Sequence, residues 1–147
     1  MSPGDGSEPI ADDEVVFRRI SDRSGWYNPS LDRPVAWEAF RPNENDVRGL
    51  SVWRAKYISA PEAAARGARP GRRYFVLRMR VGRLRTAGVQ VEPSPAEGGP
   101  GHATLANLTA SAYRDRRDAI REVAEQIATS LIESVDGPFG PFGEAPE

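Results

Sequence analysis

The stretch Arg73-Tyr74-Phe75-Val76-Leu77-Arg78-Met79-Arg80-Val81 is the clearest strand in the chain. Strand side chains alternate between two faces. Phe75, Leu77, Met79 and Val81 therefore share one face and read as core. Tyr74, Val76, Arg78 and Arg80 share the other, which is apolar at one end and doubly basic at the other.

Partners for this strand lie on both sides of it. Val15-Val16-Phe17-Arg18-Arg19-Ile20 is β-branched and aromatic and reads as a strand. Leu50-Ser51-Val52-Trp53 and Val89-Gln90-Val91 read as two more. Val35-Ala36-Trp37-Glu38-Ala39-Phe40 reads as a short strand with imperfect alternation. Ser59 with Glu62 three residues on, and Pro61 in the first turn, predict a short helix over Ala60–Ala68. Residues 83–87 predict a helical turn closed by Gly88, and residues 93–101 a Pro/Gly loop without regular structure.

The cover for the sheet is at the far end. From Ala112 to Val135, Tyr113, Ile120, Val123, Ala124, Ile127, Leu131 and Val135 fall on one helical arc. Arg114, Asp118, Arg121, Glu122 and Glu125 fall on the opposite one, and Gly137-Pro138 stops the helix. The expected fold is α+β: a small mixed or antiparallel sheet covered on one face by this amphipathic helix. The expected organisation is a disordered acidic tail over 1–11, a single domain over 12–136, and a disordered Pro-Phe-Gly tail over 137–147.

Composition narrows the chemistry. The 147 residues suit one domain. Absence of cysteine excludes a disulfide framework, a thiolate metal site and a cysteine nucleophile. A single histidine excludes a His-rich metal site. There is no apolar run of about 18 residues to span a membrane. The first residues carry no basic start and no apolar core of a secretory signal, so a cytoplasmic location is expected. No dinucleotide fingerprint or phosphate loop is visible, and no cofactor is expected.

Charge is segregated within a net of −1. Asp5, Glu8, Asp12, Asp13 and Glu14 give the first 14 residues −5. Between Glu62 and Glu92, Arg66, Arg69, Arg72, Arg73, Arg78, Arg80, Arg83 and Arg85 give +8 with no acid. Such a block holds phosphate or an acidic partner surface, or is paired internally by the acidic tails. Within it Arg72, Arg78, Arg80 and Tyr74 are the candidate partner-binding residues. For nucleic acid the same residues would supply phosphate contacts and a stacking ring, although the pI of 5.9 and the lack of a known motif count against it.

Three residues are catalytic candidates. His102 is the sole imidazole and follows a Gly/Pro loop. Ser51 points away from the face of Leu50 and Val52. Arg18 and Arg19 alternate on a strand, so one points inward and must be paired or await an anion. Arginine and serine on neighbouring strands with an acid elsewhere form the skeleton of an NAD-cleaving site; Glu38 and Glu62 are the available acids.

The order Phe17-Arg18-Arg19, Ala39-Phe40-Arg41-Pro42, Gly49-Leu50-Ser51-Val52, Gly88-Val89-Gln90-Val91-Glu92-Pro93 and His102-Ala103 resembles a group of short bacterial proteins without an assigned reaction. The resemblance spans about residues 15–108. It implies a bacterial accessory gene and no catalytic residues. The leading expectation is a non-enzymatic interaction module that binds an acidic protein partner from its own operon. The alternatives are a small enzyme on a nucleotide-type substrate such as NAD, and a nucleic-acid-binding module. No membrane partner and no metal are expected.

Overall fold

The computed structural model describes residues 5–28, 30–66, 68–130 and 139–143. Six antiparallel strands form one sheet: β1 (Val15–Ser21), β2 (Leu50–Arg54), β3 (Tyr74–Arg80), β4 (Val91–Pro93), β5 (His102–Leu105) and β6 (Phe139–Phe142), in the order β4-β5-β2-β1-β3-β6. The helices are α1 (Ala60–Ala65), α2 (Val81–Thr86), α3 (Pro95–Gly98), α4 (Ala110–Asp115) and α5 (Arg117–Ser130), with a 3-10 helix at Trp37–Phe40. This is the expected α+β fold.

β1 and β3 pair along their whole length, Val15 with Arg80 through Ser21 with Tyr74. Paired residues share a face, so the alternation of one strand fixes the other. On the first face Val16, Ile20, Leu50, Val52, Leu77 and Met79 meet Ile120, Ala124, Ile127 and Ala128 of α5. Burial of such side chains stabilises by roughly 1.5–3 kcal/mol for each large one. The second face buries Phe17, Tyr74 and Val76 against Ile58, Ala63 and Ala64, so α1 roofs the apolar end of that face. The Ser59–Glu62 capping box is present in full.

Several local expectations change. Residues 35–40 are no strand: only Val35 makes a bridge, to Tyr27, and Trp37–Phe40 is 3-10. The Ala39 and Arg41 amides donate to the carbonyls of Ala36 and Glu38 three residues back, so the backbone closes on itself instead of pairing with a strand. The 93–101 loop contains α3, started by Pro95. β4 lies at 91–93 rather than 89–91, and β5 adds a strand at His102–Leu105. α1 ends at Ala65, because Arg66 turns to an extended conformation. Val81 opens α2 rather than closing β3, yet stays buried. The C-terminal helix breaks at Arg116 into α4 and α5, with no glycine or proline to announce it. Its expected stretch 131–135 lies outside the described residues.

The tail segments are described only in part. Residues 1–4, 131–138 and 144–147 lie outside the described residues. Within residues 5–11, Ile10 joins the core, and the backbone carbonyls of Gly6 and Glu8 each accept from Arg54 at 2.9 Å. Phe139–Phe142 pairs with β3 as an edge strand.

Candidate functional site

The second face of the sheet carries one row across four strands. Phe17 pairs with Arg78 and with Trp53, and Trp53 pairs with His102. The neighbouring row contains Ser51 opposite Thr104. α1 covers the β3 side of this face and α3 packs on β5. Arg66, at the end of α1, lies over the Trp53 ring toward Gly99, and Ser51 beyond it is exposed.

His102 is only 5% exposed. Its Nδ1 lies 2.8 Å from Ser94 Oγ and 3.2 Å from the Ser94 carbonyl. A carbonyl can only accept, so this contact places the proton on Nδ1 and the lone pair on Nε2. Ser94 Oγ then donates to Thr104 Oγ1 at 2.6 Å, and Thr104 donates to Glu97 at a long 3.4 Å. Every donor in the chain from imidazole to carboxylate has an acceptor. Burial lowers the His102 pKa below its ordinary value, against the opposing pull of the Ser94 carbonyl and Glu97, which favours the neutral ring. Trp53 stands edge-on to the ring at 4.7 Å. Close approach of α3 requires Gly98: a Cβ there would lie 2.5 Å from the ring.

A cleft of ≈ 340 Å³ opens beside this ring, lined by Asn45, Asp46, Arg48, Ser51, Glu97 and His102 among others. The 43–49 loop forms its wall. Asp46 accepts the Asn43 amide at 2.8 Å, and its carbonyl accepts the Ala110 amide at 2.9 Å. Gly49 has φ +122, and a Cβ there would meet the Leu105 carbonyl at 2.3 Å. Arg48 and Glu97 form an exposed ion pair at 2.9 Å across the mouth.

The structure thus brings Ser51 and His102 to one cleft. Arg18 is close by, on the opposite face. Its Nε donates to the Ala39 carbonyl at 2.7 Å and its Nη1 to the Ser51 carbonyl at 3.2 Å. Residue pairing between β1 and β2 stops at Phe17 and Trp53, and the guanidinium fills the gap that follows. Burial lowers its pKa to about 10, with Asp46 opposing and Arg19 adding to the shift, so it remains a cation. Arg19 points to the α1 face, donating to the carbonyls of Ala64 and Arg66 with its guanidinium 4.3 Å from the Tyr74 ring. The question of which arginine turns inward has the answer that both are half-buried, on opposite faces, and bonded to carbonyls. Glu62 is held in the capping box and Glu38 lies on the 3-10 helix; neither lines the cleft, where the acids are Asp46 and Glu97.

The candidate partner face is divided. Tyr74 is buried, packs against Arg19, and accepts the Arg69 amide through its hydroxyl at 3.1 Å, so its ring is not presented for stacking. Arg72 lies before β3, while Arg80 is exposed at the other end of that strand and Arg78 is half-buried. A strand rises about 3.3 Å per residue, so the two ends stand roughly 25 Å apart. Beside Arg80 the acidic N-terminal segment crosses: the Val81 and Gly82 amides donate to the Glu14 and Asp12 carbonyls. Arg85 pairs with Asp12 there. At the Arg72 end a groove of ≈ 380 Å³ runs between α1 and β6, walled by Pro61, Ala64, Tyr74 and Phe142 with Arg69 and Arg72 along it. Neither guanidinium forms an ion pair with another described residue.

Arg54 escaped the sequence reading. It is fully buried, with Glu14 accepting from both Nε and Nη2 at 2.9 and 2.8 Å, and Glu8 3.1 Å away. The signal was available: Arg54 stands in phase with Leu50 and Val52, the core side of β2.

Among the described residues no group of three His, Asp or Glu could hold a metal ion, and no helix is long and apolar enough to cross a membrane. Compared with protein-family models, curated proteins and solved structures, the chain matches none.

Proposed function

We propose that this protein is an interaction module that takes an acidic, partly hydrophobic segment of a partner protein in the groove between α1 and β6. One observation carries this reading: the groove combines an apolar wall with Arg69 and Arg72, inside a stretch of chain from 63 to 91 that has no acid. Its volume of ≈ 380 Å³ suits one or two bulky side chains, and the arginines offer forked donors to a carboxylate beside them. The natural partner is a protein encoded in the same operon. Recognition moves from the whole of β3 to its Arg72 end, because at the Arg80 end the chain's own acidic segment lies alongside.

The test is fluorescence anisotropy with a labelled peptide alternating Glu and Leu, against a Lys-Leu peptide of the same length. Only the acidic peptide should bind. The double variant Arg69→Glu, Arg72→Glu should abolish binding, and Arg80→Glu should leave it within about twofold, as expected of a distant screened charge. Loss of binding in Arg80→Glu with retention in the double variant would move the site elsewhere and defeat the reading. A nucleotide-type substrate is less well supported: the observed donors of Arg18 and Arg19 go to backbone carbonyls, and two carboxylates line the Ser51–His102 cleft.

A further inference from the structure

The His102 cleft is separate from the groove, and its construction calls for an account of its own. A histidine that is 5% exposed, on a central strand, is wired through Ser94 and Thr104 to Glu97 by its Nδ1 side alone. No described residue hydrogen-bonds its Nε2. The ring nevertheless lines a polar cleft rather than the apolar core. Nε2 is not among the described buried side-chain atoms without a partner, which are Asp22 Oδ1 and Arg73 Nε, so it reaches the cleft and is open to water or a ligand there.

The neighbours define what fits. Asp46 and Nε2 offer acceptors, Arg48 offers donors, and Asn45 and Ser51 offer both. Arg48 is opposed by Glu97 and Asp46 acts on the Arg18 cation, so the lining offers no uncompensated charge of either sign. Phosphate or carboxylate finds no free cation there. An ammonium would satisfy the acceptors but has no acceptor for Asn45 and Ser51. A hydroxyl both donates and accepts.

We infer that the cleft is a binding site for a small neutral polyhydroxyl ligand, a sugar or polyol, one hydroxyl of which donates to His102 Nε2 while others bond Asp46, Asn45 and Ser51. The inference is independent of the groove and does not require the peptide-binding reading.

The single imidazole makes the test direct. In the wild-type protein, ¹⁵N-resolved NMR of His102 should show the Nδ1–H tautomer at neutral pH. Titration with D-glucose should shift the ring signals saturably, and glucose should slow carbethoxylation of His102 by diethyl pyrocarbonate. Inorganic phosphate and ethylamine at the same concentrations should do neither. Ser51→Ala, at an exposed position, should fold normally and weaken glucose binding about fivefold, the scale of one neutral hydrogen bond. An Nε2–H tautomer, protection by phosphate or ethylamine instead of glucose, or absence of any glucose effect would each overturn the inference.

Discussion

Arg54 and Arg18 lie on the same face of the sheet, on neighbouring strands, yet they are neutralised in different ways. Arg54 is fully buried and meets two carboxylates, Glu14 and Glu8, together with the Gly6, Glu8 and Pro9 carbonyls. Arg18 is half-buried and meets the carbonyls of Ala39 and Ser51, with Asp46 acting only at a distance. Where full ionic compensation is supplied, a charge can be sealed under the chain, and the N-terminal segment is the seal. Where only dipoles are supplied, the cation stays at a seam of the sheet and knits the strands to the 3-10 helix. The first arrangement depends on a distant piece of sequence, the second on backbone alone.

The sharpest way to break the comparison is Arg54→Met. Removing Arg54 leaves Glu14, with only 11% of its side chain exposed, held by the Ala11 amide and by Lys56 at 3.7 Å alone. The expected loss is about 3–5 kcal/mol by urea denaturation. The double variant Arg54→Met, Glu14→Gln should recover part of that loss. No recovery would mean that the carbonyl contacts of the N-terminal segment, rather than the pair, hold it in place.

Arg18→Met should cost less, about 1–3 kcal/mol, because it leaves acceptors rather than a charge unsatisfied. Arg18→Lys should not rescue fully, since one ammonium does not reproduce a planar fork reaching two carbonyls. If the two methionine variants lost equal stability, the distinction between ionic and dipolar compensation would not hold here.

How much of this was legible beforehand follows the range of the interactions. β1, β2 and β3 were readable because alternation is local, and the Ser59–Glu62 cap because it spans three residues. His102–Leu105 was missed as a strand although His102 and Thr104 alternate with Ala103 and Leu105, because four residues behind a Pro/Gly run are too short a pattern to stand out. Residues 35–40 imitate a strand through composition, while the Ala39 and Arg41 amides bond back three residues to close a 3-10 turn. Ser51 and His102 were picked out singly, but their meeting depends on the β2–β5 register, which no local pattern encodes. Glu97 was hidden in a Pro/Gly stretch read as structureless. The acidic run at the N-terminus was visible as charge; its role as the counterion of one arginine was not, because the partners are 40 residues apart.

The mildest way to sharpen the comparison is acid. The Tyr57 hydroxyl, followed by Lys56, lowers the pKa of Glu8 from 4.5 to about 2. Burial pushes Glu14 up, but the hydrogen bonds of Arg54 and of the Ala11 amide, with the charges of Arg54 and Lys56, outweigh it and leave its pKa lowered. For both acids the unfolded chain binds protons more readily than the folded one, so stability rises with pH across the window between the two values. Their contribution is complete above about 4.5 and disappears as pH falls toward the folded value, about 2 for Glu8. Arg18, which has no carboxylate bonded to it, adds nothing in that window. The double variant Glu8→Gln, Glu14→Gln should therefore flatten the acid limb of stability against pH, and Arg18→Met should shift the curve down without changing its slope. An acid limb equally steep in the double-glutamine variant would place the acid sensitivity in other carboxylates and remove the N-terminal seal as its cause.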